Sequence, residues 1–128
     1  MKCKFMIFAA MLMLAACDGK DGSVKLKLED GNQLAVEGTL LQESNVSGAQ
    51  GELKVNKFVV AESPKKTEKI ISKELMKLGY RRKVIDESDV SYKVHYHKKN
   101  WPVIGGLYTL QADTKAPGSR VSIYWKVN

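Results

Sequence analysis

Residues 53–80 read LKVNKFVVAESPKKTEKIISKELMKLGY, and the change of period inside this stretch decides the fold. Phe58, Val59 and Val60 run together as if buried on both sides, inside a strand expected over residues 53–61. Ser63-Pro64 then sets a capping hydroxyl before a proline at the first helical position. Ile71, Leu75 and Leu78 recur at helical spacing, and Gly79 closes the segment as a left-handed cap. The spacing predicts a helix over 64–78 with one apolar stripe. Lys66, Lys69, Lys73 and Lys77 fall on its opposite face by the same 3.6-residue arithmetic.

Strands flank this core on both sides. Val24-Lys25-Leu26-Lys27-Leu28 alternates apolar and charged residues, Asp30-Gly31-Asn32 signals a turn, and Leu34, Val36 and Leu40 resume the period of two with Gly38 between them. Residues 24–41 therefore read as a hairpin. Residues 42–51, QESNVSGAQG, are polar and rich in Gly and Ser, which predicts a surface loop. Downstream, Arg81-Arg82-Lys83 and the acidic Asp86, Glu87 and Asp89 lead into residues 90–97, VSYKVHYH. There Val90, Tyr92, Val94 and Tyr96 share one face, and Ser91, Lys93, His95 and His97 the other. Trp101-Pro102 and Gly105-Gly106 read as interruptions before two final strands over 107–112 and 120–127, the second with Val121, Ile123, Trp125 and Val127 inward. The order β-β-β-α-β-β-β predicts an α+β domain: a single sheet of about six mainly antiparallel strands with one amphipathic helix packed on a face.

The chain has 128 residues, room for one core of this kind and not two. Its beginning is of another character. Lys2 and Lys4 precede an uncharged apolar run over residues 5–16, FMIFAAMLMLAA, which is too short to span a bilayer and has the build of a signal peptide. Leu14-Ala15-Ala16-Cys17 resembles the lipobox of bacterial lipoproteins, and that resemblance identifies the chain as a lipoprotein precursor. It implies cleavage before Cys17, a diacylglycerol thioether on the Cys17 sulfur and a further acyl chain on its amine, enough to hold a domain firmly on a membrane. The expected organisation is a signal peptide over 1–16, the lipidated cysteine and tether over 17–23, and a periplasmic domain over 24–128. The resemblance implies a cell-envelope location, and Asp18 directly after the cysteine resembles an inner-membrane retention signal. From Phe58 onward, a strand and helix ending in Gly79-Tyr80, followed by Asp89-Val90 opening an aromatic strand, is similar to small envelope lipoproteins of unknown or structural function.

Charge and cysteines fit an exported domain. Cys3 and Cys17 are the only cysteines, so residues 18–128 hold no thiol and can form no disulfide. Without Lys2 and Lys4 the rest of the chain keeps 19 basic against 14 acidic residues. An exported basic domain meets anionic lipid, glycan or protein before it meets nucleic acid, which is discounted as a partner.

Few residues suggest chemistry. His95 and His97 could form two arms of a zinc or copper site, but two ligands do not make one, and solvated imidazoles beside Lys93, Lys98 and Lys99 are the simpler reading. Asp86, Glu87 and Asp89 lack the spacing and glycine of a calcium loop and balance the basic run before them. No nucleophile stands beside a base and no Gly-rich phosphate cradle precedes the helix, so no catalytic residue and no cofactor is implied. Two surfaces remain: the lysine face of the helix (Lys66, Lys69, Lys73, Lys77) as a contact for an anionic surface, and Trp101, Pro102, Val103 and Ile104 as a partner-binding loop. Either has a plainer reading, as a solvated helix face or as a cap on the core edge. The expectation is a non-catalytic interaction or accessory protein that serves or blocks an envelope complex, as exclusion lipoproteins do. The alternatives are a binding module for lipid, glycan or peptide, with an apolar pocket under the helix, and an envelope enzyme.

Overall fold

In the computed structural model, residues 22–49, 51–111 and 118–127 are described, and Cys17 with the rest of the targeting segment lies outside them. Helix α1, Pro64–Lys77, begins and ends as its sequence dictates. The Ser63 hydroxyl accepts a hydrogen bond from the Lys66 amide at 3.3 Å. At the other end the Gly79 amide donates to the Met76 carbonyl and the Tyr80 amide to that of Leu75, with Gly79 at φ +99°. This is the paired closure that a left-handed glycine permits. Tyr80 and Leu75, which the closure brings together, are both buried.

Among the described residues eight strands accompany the helix. Two of them, β1 (Ser23–Lys27) and β2 (Gln33–Glu37), form a separate antiparallel hairpin. The other six are β3 (Thr39–Gly48), β4 (Gly51–Val60), β5 (Arg81–Glu87), β6 (Ser91–His97), β7 (Ile104–Gln111) and β8 (Gly118–Val127). They make one antiparallel sheet in the order β3-β4-β8-β7-β6-β5. The α+β architecture expected from the sequence is therefore the one observed, with the hairpin as an addition beside the main sheet.

Helix and hairpin lie on the same face of that sheet and close one core. The sheet contributes Phe58, Val94, Tyr96, Ile104, Tyr108, Val121, Ile123 and Trp125, the helix Ile71 and Leu75, and the hairpin Val24, Leu26, Leu28, Leu34 and Val36. Burial of this kind stabilises by roughly 1.5–3 kcal/mol per large side chain.

Three segments depart from their sequence reading. The polar stretch 42–51 is not a loop: it carries most of β3 and the first residue of β4, so that Val46 pairs with Leu53 and Asn45 with Lys54. This end of the β3–β4 ribbon has no helix over it, so both faces are wet and no apolar alternation marks it. Leu40, expected inward, is 44% exposed beside the bulge between Leu40 and Gln42. The charged run at 81–87 is a strand at the sheet's edge, exposed throughout and bulged between Val84 and Asp86, the form in which edges resist further pairing. Val90, expected on the inward face, precedes β6 and is half exposed.

Gly105-Gly106 likewise does not interrupt the chain but lies within β7, where each glycine makes room for a tyrosine ring. A Cβ on Gly106 would meet the hydroxyl of Tyr108 at 2.8 Å on the covered face. One on Gly105 would collide with the ring of Tyr124 on the other face. Glycine inside a strand is here the mark of a close approach.

Candidate functional site: the open face of the sheet

Strand parity divides the functional residues between two faces. On the covered face α1 brings in a charge. Glu68, which is 3% exposed, takes a two-pronged pair of bonds from Arg82 of β5, Nε to Oε2 at 3.0 Å and Nη2 to Oε1 at 2.9 Å. Tyr96 donates its hydroxyl proton to Glu68 at 2.9 Å and so can only accept from Tyr108 at 2.7 Å. Burial pushes both phenols far above their ordinary pKa, and the Glu68 hydrogen bond holds the Arg82 guanidinium charged more firmly than usual. This satisfied network fills the space under the helix together with Ile71 and Leu75, where a ligand pocket had been one expectation. The sequence held a signal for it: Glu68 sits three residues before Ile71 and seven before Leu75, a carboxylate on the apolar stripe that required a buried partner.

The opposite face is covered by no described element. Its residues follow from the register in rows that cross the strands. One row runs Lys83, His95, Gly105, Tyr124, Val55 and Ser44 from β5 to β3. The next runs Asp86, Lys93, Leu107, Ser122, Lys57 and Gln42. Lys126 with Leu53 and Val46 borders one side, Thr109 with Arg120 and Val59 the other, and Arg81 lies beside His97. Six basic side chains thus face outward against one acidic side chain, Asp86.

At one corner a depression of about 670 Å³ is lined by Leu53, His95, Trp101, Val103, Tyr124 and Lys126, among others. The loop that forms its wall is held in shape. Asn100 takes a left-handed turn at φ +73°, and the Trp101 amide donates to the Lys98 carbonyl. Lys98 reaches across to the buried carboxylate of Asp30 at 2.8 Å, with its ammonium 5.3 Å from the centre of the Tyr80 ring. Burial, the largest influence on the Asp30 pKa, acts upward, but the bonds from Lys98 and Asn32 outweigh it and hold the group below the ordinary aspartate range. Burial, with Asp30 beside it, pushes the Tyr80 phenol up to about 12.

The residues singled out from sequence separate in space. Trp101 and Val103 are about two-fifths exposed and Pro102 lies half-buried between them, whereas Ile104 is buried in the core as the first residue of β7 and drops out of the loop surface. Lys66, Lys69, Lys73 and Lys77 are all exposed, but Lys66 pairs with Glu62 and Lys77 with Glu74, so the helix face is partly neutralised. His95 and His97 stand on the open face with ring centres 6.2 Å apart. Burial first, then Lys93, His97 and Lys83, lowers the His95 pKa and favours its neutral form. Among the described residues no three His, Cys, Asp or Glu side chains are grouped to hold a metal ion. Glu87 is bound to Lys65 at 3.0 Å, and the Asp86 carboxylate accepts from the Glu87 amide.

Sequence reasoning missed the open face because its basic residues are scattered over four strands and only the register assembles them. Among the described residues no helix is long and apolar enough to cross a membrane. Comparison with protein-family models, with curated proteins and with solved structures finds no match to this chain. The class of molecule is thus defined by the fold and its one bare face: an α+β domain whose sheet is packed on one side and presented on the other.

Proposed function

We propose that this protein is a lipid-anchored lipoprotein of the bacterial envelope that works as a non-catalytic interaction or accessory protein, serving or blocking a larger envelope complex. The anchor half of the reading is supported by the sequence of residues 1–18 and by Cys17 as the acylated residue. A single observation carries the interaction half: Trp101 and Val103 stand exposed on a braced loop at the end of the domain opposite Gly22, the first described residue. Gly22 lies beside Gly38, where β2 gives way to β3, and the 98–103 loop stands beside Leu53, whose partner Val46 is seven residues along β3 from Thr39. At about 3.3 Å per residue the two ends are ~20 Å apart. A domain tethered at one end holds the other toward the periplasm, where an exposed tryptophan serves as an anchor for a partner.

The test is crosslinking and affinity isolation of the tagged, lipidated full chain from its host. The same protein recovered with the native chain and lost with Trp101→Ala and Val103→Ala supports the reading. Recovery of no protein, or of the same protein from both chains, rejects it. For the anchor, Cys17→Ser must abolish incorporation of labelled fatty acid; undiminished labelling would remove the lipoprotein assignment.

A further inference from the structure

We infer that the partner seats on the open face of the sheet, and that the surface it brings is an acidic protein surface; this rests on the interaction reading above. Charge comes first. Arg81, Lys83, Lys93, Lys57, Lys126 and Arg120 all project from this face, and among the described residues Asp86 is the only acidic one whose register puts it there. Like charges brought together across an interface cost binding and opposite ones favour it, so a face of this sign selects an acidic complement.

Extent and composition narrow the occupant. Six strands at about 4.8 Å spacing give a width of ~24 Å, and eight residues along a strand about 27 Å. The product, ~650 Å², approaches the ~800 Å² that each partner contributes to a complex of standard size. Tyr124, Leu107 and Val55 occupy the middle half-buried, with charged residues around them and Trp101 and Val103 at one border. An apolar centre within a polar rim is the anatomy of a protein interface. The Tyr124 ring, packed over Gly105, is already in place before anything binds.

Other occupants fit less well. A second copy using the same face would set the six basic residues against six more. A small anion needs converging cations, yet Lys57 and Lys83 stand on strands four places apart in the sheet, about 19 Å. A bilayer would be met at the tethered end, whereas Trp101 and Val103 lie at the other.

A photoreactive amino acid placed at Ser122, in the centre of the face, and separately at Lys69, on the helix, tests this in the full chain in its host. The expected result is a crosslink to a protein from Ser122 and none from Lys69, with the crosslinked segment of that protein carrying more acidic than basic residues. The crosslink should fall at least tenfold with Lys57→Glu, Lys93→Glu and Arg120→Glu combined, while the denaturation midpoint of that variant stays where it was. A crosslink that survives charge reversal, a basic or neutral target segment, a crosslink from Lys69 alone, or lipid in place of protein at Ser122 would overturn the inference. If Trp101→Ala abolishes the crosslink and charge reversal does not, the interaction reading stands and the acidic complement falls. No protein crosslinked from either position overturns both.

Discussion

Tyr108 and Tyr124 are set in the sheet by the same device and end in opposite circumstances. Each ring lies over a glycine of β7, Tyr108 over Gly106 and Tyr124 over Gly105, on the two faces of one strand. Tyr108 is fully buried under the helix, and its hydroxyl opens a hydrogen-bonded chain to Tyr96 and Glu68. Tyr124 remains half exposed among His95, Leu53 and Lys126 with nothing described above it. Backbone geometry can therefore shape both faces alike, and the covering layer decides whether a residue contributes to stability or to contact.

Substitutions can break that comparison, beginning with the covered face. Truncating Trp125 or Ile123 to alanine leaves a cavity at the centre of the core and should cost about 3–5 kcal/mol in chemical denaturation. Leu107→Ala on the open face of the same sheet should cost under about 1 kcal/mol; equal losses would mean that the open face is covered after all. Glu68→Ala strands the Arg82 charge and the Tyr96 hydroxyl and should cost about 3 kcal/mol, whereas Glu68→Leu combined with Arg82→Leu should recover part of the loss. The glycines sharpen the point more finely. Gly105→Val displaces the Tyr124 ring and should cost about 1–2 kcal/mol, and Tyr124→Ala in the same chain should restore most of it if that collision is the cause.

The smallest effect is one of pH. Because Asp30 has its pKa lowered by folding, the stability it contributes is fully present above its unfolded value of 3.8 and is lost as pH falls through the lower, folded value. Denaturation midpoints measured downward from pH 5 should therefore fall more steeply in the native chain than in Asp30→Asn, and superimposable curves would show that the Lys98 pair contributes nothing.

What could be read in the sequence was whatever faces a dry interior on one side and water on the other. The helix announced itself through Ser63, Pro64 and Gly79 and through the Ile71, Leu75, Leu78 stripe, and β8 through the alternation of Val121, Ile123 and Trp125. Where a strand is wet on both faces, as between Gln42 and Gly48, the alternation that identifies strands has no cause and the residues resemble a loop. The charges of β5 were legible as charges but not as an edge. Gly105 and Gly106 looked like a break because the rings that need them are seen only in the folded strand pairs, Tyr108 two residues along β7 and Tyr124 across from it on β8. Of the candidate site, the apolar run Trp101 to Ile104 was visible, but only the fold separates exposed Trp101 and Val103 from buried Ile104. The basic face was not, since Lys57 and Lys83 become neighbours in function only through strand order.

The strand order also governs when this molecule can fold. Each neighbouring pair in the six-stranded sheet joins strands consecutive in the chain, except β4 with β8. That one pairing brings Val60 against Ser119 and Glu52 against Val127, closing loops of about sixty to seventy-five residues. Closure on that scale is slow compared with the hairpins on either side. Since β8 supplies Val121, Ile123 and Trp125 and is made after every other described strand, the core stays unfinished until synthesis has passed it. For a chain proposed to cross a membrane before it matures, late completion leaves the core open, and so threadable, until its last described strand is made.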